Sequence, residues 1–555
     1  MKYKIGAPRF ITFLFITTLF TSVLEGQQEE VRVVKPYSPT LSGAEKIELL
    51  PSLDEDIEYD LPDFTYQLFP KRYESQFRVE PIKAARMVQM PLNKLYKSQL
   101  TLGMGNYLTP LAELSINQLR SRKGTFGVHL KHHSMNGKVK LDNDMKAPAG
   151  FNENLAEVYG NRFLKKSVLT YSIGASYDSY VHYGVDPSLD SVLTKDEAAH
   201  PYFTAEGGLG LHSMNADSFH FNYNAELDYF FFTHQFDQKE HGAKGKFHFD
   251  KKLRVVDLSG DFGGSFYGHY PDWDTIVGNQ VIFWVNPYVA KSSAEWRFTA
   301  GFNIYGDVID GLFSPHFYPR ATFQFNIVRE VIVPYFGVDG FLEANNYRKT
   351  VEENPYVVPG LSLHPTDHRL IAFIGLKGRF SDAVAYNLKG SYSIIDDQYF
   401  FVNDSSNSLM NQFGVVYDDI TLLNMHGEFT LRPNDSWKIF LKGNYYNYAT
   451  LARIDHPWNK PAYDLSLLAR YNMSDKILVN AGLSVIGARY YENYNSLLEE
   501  TLPLTFDANL GLEYRYTKLL SFWARFNNLA AQKYFMYHNY PSYRFRAMFG
   551  LTYAL

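Results

Sequence analysis

The chain contains no cysteine. That excludes a disulfide framework, a thiolate metal site and a cysteine-borne lipid anchor. Long apolar runs are almost as scarce, because after Leu24 nothing approaches the ~20 apolar residues that a membrane-crossing helix needs. Basic excess is missing too: the net charge is −5 and the pI about 6.4, which argues against a nucleic-acid partner. Tryptophan is sparse at six residues, yet 42 Tyr and 43 Phe raise the aromatic share to 16% while mean hydropathy stays at −0.27. A polar chain this rich in rings fits aromatic-laden sheets and not a helical bundle.

The one apolar stretch stands at the start. Lys2, Lys4 and Arg9 precede FITFLFITTLFTSVL (Phe10 to Leu24), and Gly26 supplies a small residue at a cleavage point. Residues 1–26 therefore read as a signal peptide, and the mature chain as exported. Residues 27–96 carry VRVVKPYSPTL, the acidic run DEDIEYDLPD and no sustained period. They are expected to form a periplasmic or lumen segment, open to docking a periplasmic or outer-membrane protein.

From Ser98 onward the period is two. Trp296, Phe298, Ala300, Phe302 and Ile304 alternate with Arg297, Thr299, Gly301 and Asn303, and Phe219 to Phe231 alternates with His220 to Asp228. Runs of this kind extend over about 10 to 14 residues, long enough for a tilted membrane strand. Aromatics near strand ends, such as Tyr177, Tyr180 and Tyr229 to Phe232, suit interfacial girdles.

The connections alternate between short and long. Tight polar segments occur at SRKG (121–124), KK (165–166), NADS (215–218), DKK (250–252), KSS (291–293), RE (329–330), SDA (381–383), RPND (432–435), MSDK (473–476) and YTK (516–518). Between them lie longer loops, among them NGKVKLDNDMKAPAGFNEN, GVDPSLDSVLTKDEAAH and NYRKTVEENPYVVPGLSLHPTDHR. Short turns on one side and long loops on the other are the pattern of an outer-membrane barrel, here of about 22 strands with both ends in the periplasm. The expected fold is thus an all-β, transmembrane antiparallel β-barrel over residues 97–555, surrounded by outer-membrane lipid. Pro334 and the stretch Asn411 to Leu431 leave the count open by about two strands.

The last strand, FRAMFGLTYAL, has one aromatic face and one face with arginines. In a closed barrel it needs no cap, since it pairs with the first strand. Alternation then assigns Glu226, Asp228, Arg297, Arg320, Asp507, Glu513, Arg515, Arg525, Arg544 and Arg546 to the lumen. Both signs occur, with cations concentrated in the last three strands. A wall of mixed charge is the favoured reading, and a site for an anionic solute the sharper one.

The stretch Phe522 to Leu555 resembles the C-terminal end of TonB-dependent outer-membrane receptors. Arg525, Asn528, Leu529, Lys533, Tyr534, Pro541, Phe545, Gly550 and Tyr553 occupy the matching places. The resemblance implies a receptor-like barrel in the outer membrane. About 70 residues between the signal peptide and Ser98 are too few for the folded plug of such receptors. The chain is in this respect similar to plugless relatives of Bacteroidota. A barrel of that width needs its lumen filled or narrowed, by residues 27–96, by inward loops or by a partner.

Chemistry-bearing motifs are weak. His129 and His133 share a strand face without a carboxylate at a helpful local spacing. DNDM (142–145), DWD (272–274) and IDDQ (395–398) place carboxylates in expected outer loops but lack a full calcium-loop pattern. GGSFYG (263–268) lacks the strand-turn-helix context of a nucleophile elbow and a paired base. No catalytic residue, metal site or cofactor is expected. The leading functional reading is an occluded barrel subunit serving a transport or assembly complex. The alternatives are a passive or gated transporter for an unidentified solute and, with least support, an outer-membrane hydrolase.

Overall fold

The computed structural model describes residues 96–555, apart from 119–120, 190–191, 215–220, 236–237, 271–278, 310, 407–408, 451–452 and 494–497. The expected signal peptide and residues 27–95 thus lie outside the described residues, as do the NADS and DWD segments. In chain order the strands begin with β1 (Ser98–Gly105), β2 (Thr109–Asn117), β3 (Gly124–Lys140), β4 (Lys146–Phe163), β5 (Ser167–Val181), β6 (Ala199–Ser213), β7 (Asn222–His234) and β8 (Lys239–Lys252). They continue with β9 (Asp257–Tyr270), β10 (Gln280–Ser292), β11 (Trp296–Ile309), β12 (Leu312–Phe325), β13 (Val333–Glu343), β14 (Thr366–Ser381), β15 (Val384–Asn403) and β16 (Phe413–Leu431). The last are β17 (Trp437–Thr450), β18 (Tyr463–Met473), β19 (Ile477–Ile486), β20 (Arg489–Asn493), β21 (Leu498–Leu502), β22 (Thr505–Arg515), β23 (Leu520–Asn527) and β24 (Arg546–Ala554).

All but β20 and β21 belong to one 22-stranded antiparallel sheet. It closes where β24 pairs with β1, from Met548 opposite Gly105 to Ala554 opposite Gln99. Closure leaves no open edge, which is what a sheet surrounded by lipid requires, because unpaired backbone groups there cost several kcal/mol each. The expected barrel, with its strand number, is therefore found.

Alternation builds the wall. Phe302, Ile304, Phe317, Phe336, Ile374 and Phe549 are exposed on the outer face. Their sequence neighbours Asn303, His316 and Tyr318 hydrogen-bond on the inner face to Asp339, Asp307 and Asp367 respectively. An apolar exterior with a hydrogen-bonded polar interior is the arrangement lipid imposes.

Nine of the expected turn segments fall at or beside connections on one rim, although DKK forms the end of β8. Lys97 N–H and Leu555 O meet at 2.5 Å on that same rim. Pro334 sits second in β13, and Phe413 to Leu431 is one strand. Other expectations fail. NGKVKLDNDMKAPAGFNEN is mostly strand, since β3 and β4 pair as far out as Lys140 opposite Lys146 and only 141–145 turn. IDDQ lies inside β15 at a register shift between Ile395 and Gln398, not in a loop. Local alternation cannot show where pairing stops, because that is set by the partner strand.

Candidate functional site

The outer end of the barrel holds a second core. Loops 182–198, 344–365 and 528–545 leave the wall about a third of its circumference apart. They nevertheless share one buried cluster that includes Tyr183, Tyr347, Val351, Val357, Leu363 and Tyr540. Strand ends contribute Tyr202, Phe232, Phe401 and Phe413 to it. Tyr356 and Tyr540 stack with ring centroids 3.7 Å apart, although one comes from the β13–β14 loop and the other from the β23–β24 loop. Burying a ring of that size contributes on the order of 2 kcal/mol, so the cluster is a real cohesive unit.

Polar contacts fix how the loops lie. The helix Tyr347–Glu353 begins at Asn346, whose side chain accepts from Lys349 N–H at 2.8 Å. Glu240, at the outer end of β8 and only 1% exposed, accepts from the N–H groups of Tyr347 at 3.1 Å and Arg348 at 2.8 Å. Those are orphan donors of a helix start, so a wall carboxylate caps a loop helix. Arg348 then bridges Glu206 at 2.7 Å and Glu352 at 2.9 Å. Its guanidinium lies over Phe230.

The other loops are tied to this helix and to each other. Tyr399 and Lys460 both contact the Glu353 carboxylate, and Tyr537 donates to Glu353 O at 3.1 Å. His182 Nε2 and Tyr202 both donate to Pro355 O at 2.9 Å. Tyr183 donates to Pro541 O at 2.8 Å, Asn411 Nδ2 to His182 O at 3.2 Å, and Tyr540 to Asn411 O. The hairpin β20–β21 joins through Arg489, which donates to the carbonyls of Phe535 and Met536. Burial holds the His182 imidazole well below its usual range and His538 down to about 4. Both are therefore neutral in the packed arrangement.

Apart from Phe230 and Phe232, read as girdle aromatics, and Pro541, placed by the C-terminal resemblance, none of these residues was singled out from sequence. Their periodicity is that of the strands they extend, and nothing local says which loops meet. Tyr180, Phe230 and Phe232, expected in a lipid girdle, face this core or its edge instead, while Tyr177 and Tyr229 are exposed on the outer face.

The lumen candidates form scattered pairs, not one site. Glu226 and Asp228 stand opposite Lys246 and Lys244, with Glu226 and Lys246 3.9 Å apart. Arg320 lies 3.5 Å from Asp261 and over the Tyr288 ring. Arg297 lines a recess with Asp250, Asp257 and Tyr288. Asp507 accepts from Asn528 N–H at 3.1 Å, and Glu513 is 3.5 Å from Arg515. Arg525 stacks on Trp523 and shares a cavity of about 110 Å³ with Arg546. Arg544 is exposed and precedes β24.

The motif residues likewise find ordinary partners. His129 and His133 meet Glu113 at 3.1 Å and Glu153 at 3.8 Å across the ladders, carboxylates that local spacing could not reveal. Asp142 and Asp144 pair with Lys533 and Lys140. Ser265 is buried inside β9. Among the described residues no group of acidic or histidine side chains has metal-site geometry.

No protein-family model and no curated protein matches the chain. Solved structures do. The siderophore receptor PirA from Acinetobacter baumannii superposes with a TM-score of 0.64 at 8% identity, over 84% of this chain and 81% of that one. The fold, a closed 22-stranded antiparallel barrel, is the one this receptor shares. The copper transporter OprC gives 0.63 at 10% identity, covering 82% of each chain. The ferric-catecholate import receptor Fiu from E. coli K12 gives 0.61 at 10%, over 83% and 82%. The closed 22-stranded wall and its apolar exterior locate the protein in the outer membrane.

Proposed function

We propose that the protein is an occluded, plugless receptor-like barrel that serves as the outer-membrane subunit of a transport or assembly complex. The observation that carries this reading is the shared core of loops 182–198, 344–365 and 528–545, which come from three sides of the wall. A barrel of 22 strands left empty would leak, and loops cemented by stacked tyrosines offer a seal made from the chain itself. A passive porin would gain nothing from a buried carboxylate that caps a loop helix over its mouth. The polar wall below, with its dispersed ion pairs, fits a solvated interior better than a tight solute site.

Such a subunit acts through what it contacts, and residues 27–96 and the outer surface of the loops are its available contact regions. Planar-bilayer conductance tests the reading. The intact chain should stay silent, and a variant with Tyr347–Glu353 replaced by a Gly/Ser linker should conduct in large steps. Deleting residues 27–96 should leave the chain silent. Nanosiemens steps from the intact protein would overturn the occluded reading in favour of a transporter open at rest.

A further inference from the structure

The wall is not uniform between β12 and β13. Their ladder runs only from Ala321 opposite Val338 to Gln324 opposite Tyr335, whereas β12 pairs with β11 over its whole length and β13 with β14 out to Glu343. The sequence explains the gap. Asn326 N–H donates toward β11, to Glu295 O, and Ile327 N–H toward the β13 side, to Ile332 O. By alternation the odd residues of β12 point their amides at β13, and two of these, Pro315 and Pro319, have none to offer.

Opposite Pro319, side chains replace the ladder. Gly340 N–H donates to Asp339 Oδ1 at 2.9 Å, and Gly340 O accepts from Asn303 Nδ2 at 2.8 Å. The β13–β14 register shifts at the same place, between Asp339 and Phe341. Asn303 also donates to Asp339 at 2.8 Å. Higher up, His316 bridges Asp307 at 2.7 Å and Asp367 at 3.0 Å, while Tyr318 donates to Asp367 at 2.7 Å, reaching over β13 to β14. A handful of side-chain hydrogen bonds thus holds what a continuous ladder holds elsewhere.

On the outside, the short paired stretch floors an apolar recess of about 640 Å³, lined by Ala321, Phe323, Phe336, Gly337, Ala372 and Ile374. It lies in the band that faces lipid, with Phe298, Tyr392 and Met425 at its margin. Small residues make the hollow and large ones its rim, a shape that fits an acyl chain. We propose that the β12–β13 seam is a lateral port through which the acyl chain of a membrane phospholipid passes between the bilayer and the lumen. The recess receives the chain, and the Asn303–Asp339 clasp and the His316–Asp367 bridge part to admit it. This stands whether or not the outer loops seal the mouth.

The experiment places the full-length protein in phospholipid vesicles that include a phospholipid with a diazirine in its acyl chain. After illumination, the labelled residues are mapped by mass spectrometry. Lumen-facing Arg320 and Tyr305 beside the seam, which do not line the outer recess, should be labelled several-fold above lumen-facing Ser172, far from it. Pro319→Ala, which restores an amide opposite Gly340, should lower that label. Because the chain has no cysteine, Gln324→Cys with Tyr335→Cys gives a clean lock across a directly opposed pair. Oxidation should abolish labelling of Arg320, and reduction restore it. Equal labelling of Arg320 and Ser172, or labelling indifferent to the lock, overturns the port.

Discussion

β15 and β16 pair from Val384 opposite Leu431 out to Asn403 opposite Phe413, while β12 and β13, three ladders away, pair only near their inner ends. The two hairpins are made from the same alternating aromatic and polar code. What separates them is what stands at their outer ends. β15 and β16 deliver Phe401 and Phe413 into the loop core, with Phe400 and Ile420 packed on Trp458 beside it. β12 delivers prolines, and β13 a register shift. One hairpin is therefore a mount for the loops, and the other a sparsely paired part of the wall.

The strongest way to break this contrast is to empty the mount. Phe413→Ala removes a ring with no solvent exposure from the junction of wall and loops, and should cost about 3–5 kcal/mol of loop-core stability. The effect should be local: protease added outside vesicles should cleave 344–365 rapidly while the heat-modifiable mobility of the barrel is unchanged. Loss of the barrel itself would show that the outer core and the wall fold as one unit.

Glu240→Ala comes next. It leaves the amides of Tyr347 and Arg348 buried without their acceptor, at a cost of about 1–3 kcal/mol. Arg348 keeps Glu206 and Glu352, so the helix should stay near the wall but lose its fixed start. Hydrogen exchange at residues 347–350 should rise, and exchange in β12 and β13 should not.

The difference between the two regions also marks what the sequence could reveal. Period two in Trp296 to Ile304 or Phe506 to Arg515 reports a face toward lipid, a local property, so wall, strand number and rim were legible. The turn at Lys165 and Lys166 was legible for the same reason. Tyr356 and Tyr540 stack across the barrel from loops almost 200 positions apart in the chain, and no local pattern encodes that meeting. Glu240 looked like any polar strand residue, because its partners are amides of a distant loop. Pro319 was visible but mute, since its effect depends on which neighbour its missing amide would have faced.

Acid should loosen the mount without touching the seam's ladder. His182 and His538 have folded values depressed by burial, the latter to about 4, against ordinary values near 6.5. At these two histidines the unfolded loops therefore bind protons first as pH falls, so their contribution to loop-core stability is full above about pH 6.5 and declines toward pH 4. External proteolysis of 344–365 should accelerate through that window. His538→Gln should flatten part of the profile, and an acid response unchanged by that substitution would move the cause elsewhere.

The smallest expected effect is the sharpest comparison of single hydrogen bonds. Tyr183 donates to Pro541 O at 2.8 Å within the loop core, and Tyr386 donates to Val331 O at 2.9 Å at the opposite rim, where β13 begins. Each Tyr→Phe change keeps the ring and deletes one bond, worth about 1 kcal/mol. Tyr183→Phe should raise cleavage of the outer loops only. Tyr386→Phe should raise exchange around Val331 and the inner end of the β12–β13 seam only, since the carbonyl it releases lies in the 326–332 turn that joins those two strands. If either change spreads to the other end, the wall transmits strain along its ladders, and the mount and the seam are coupled parts of one device.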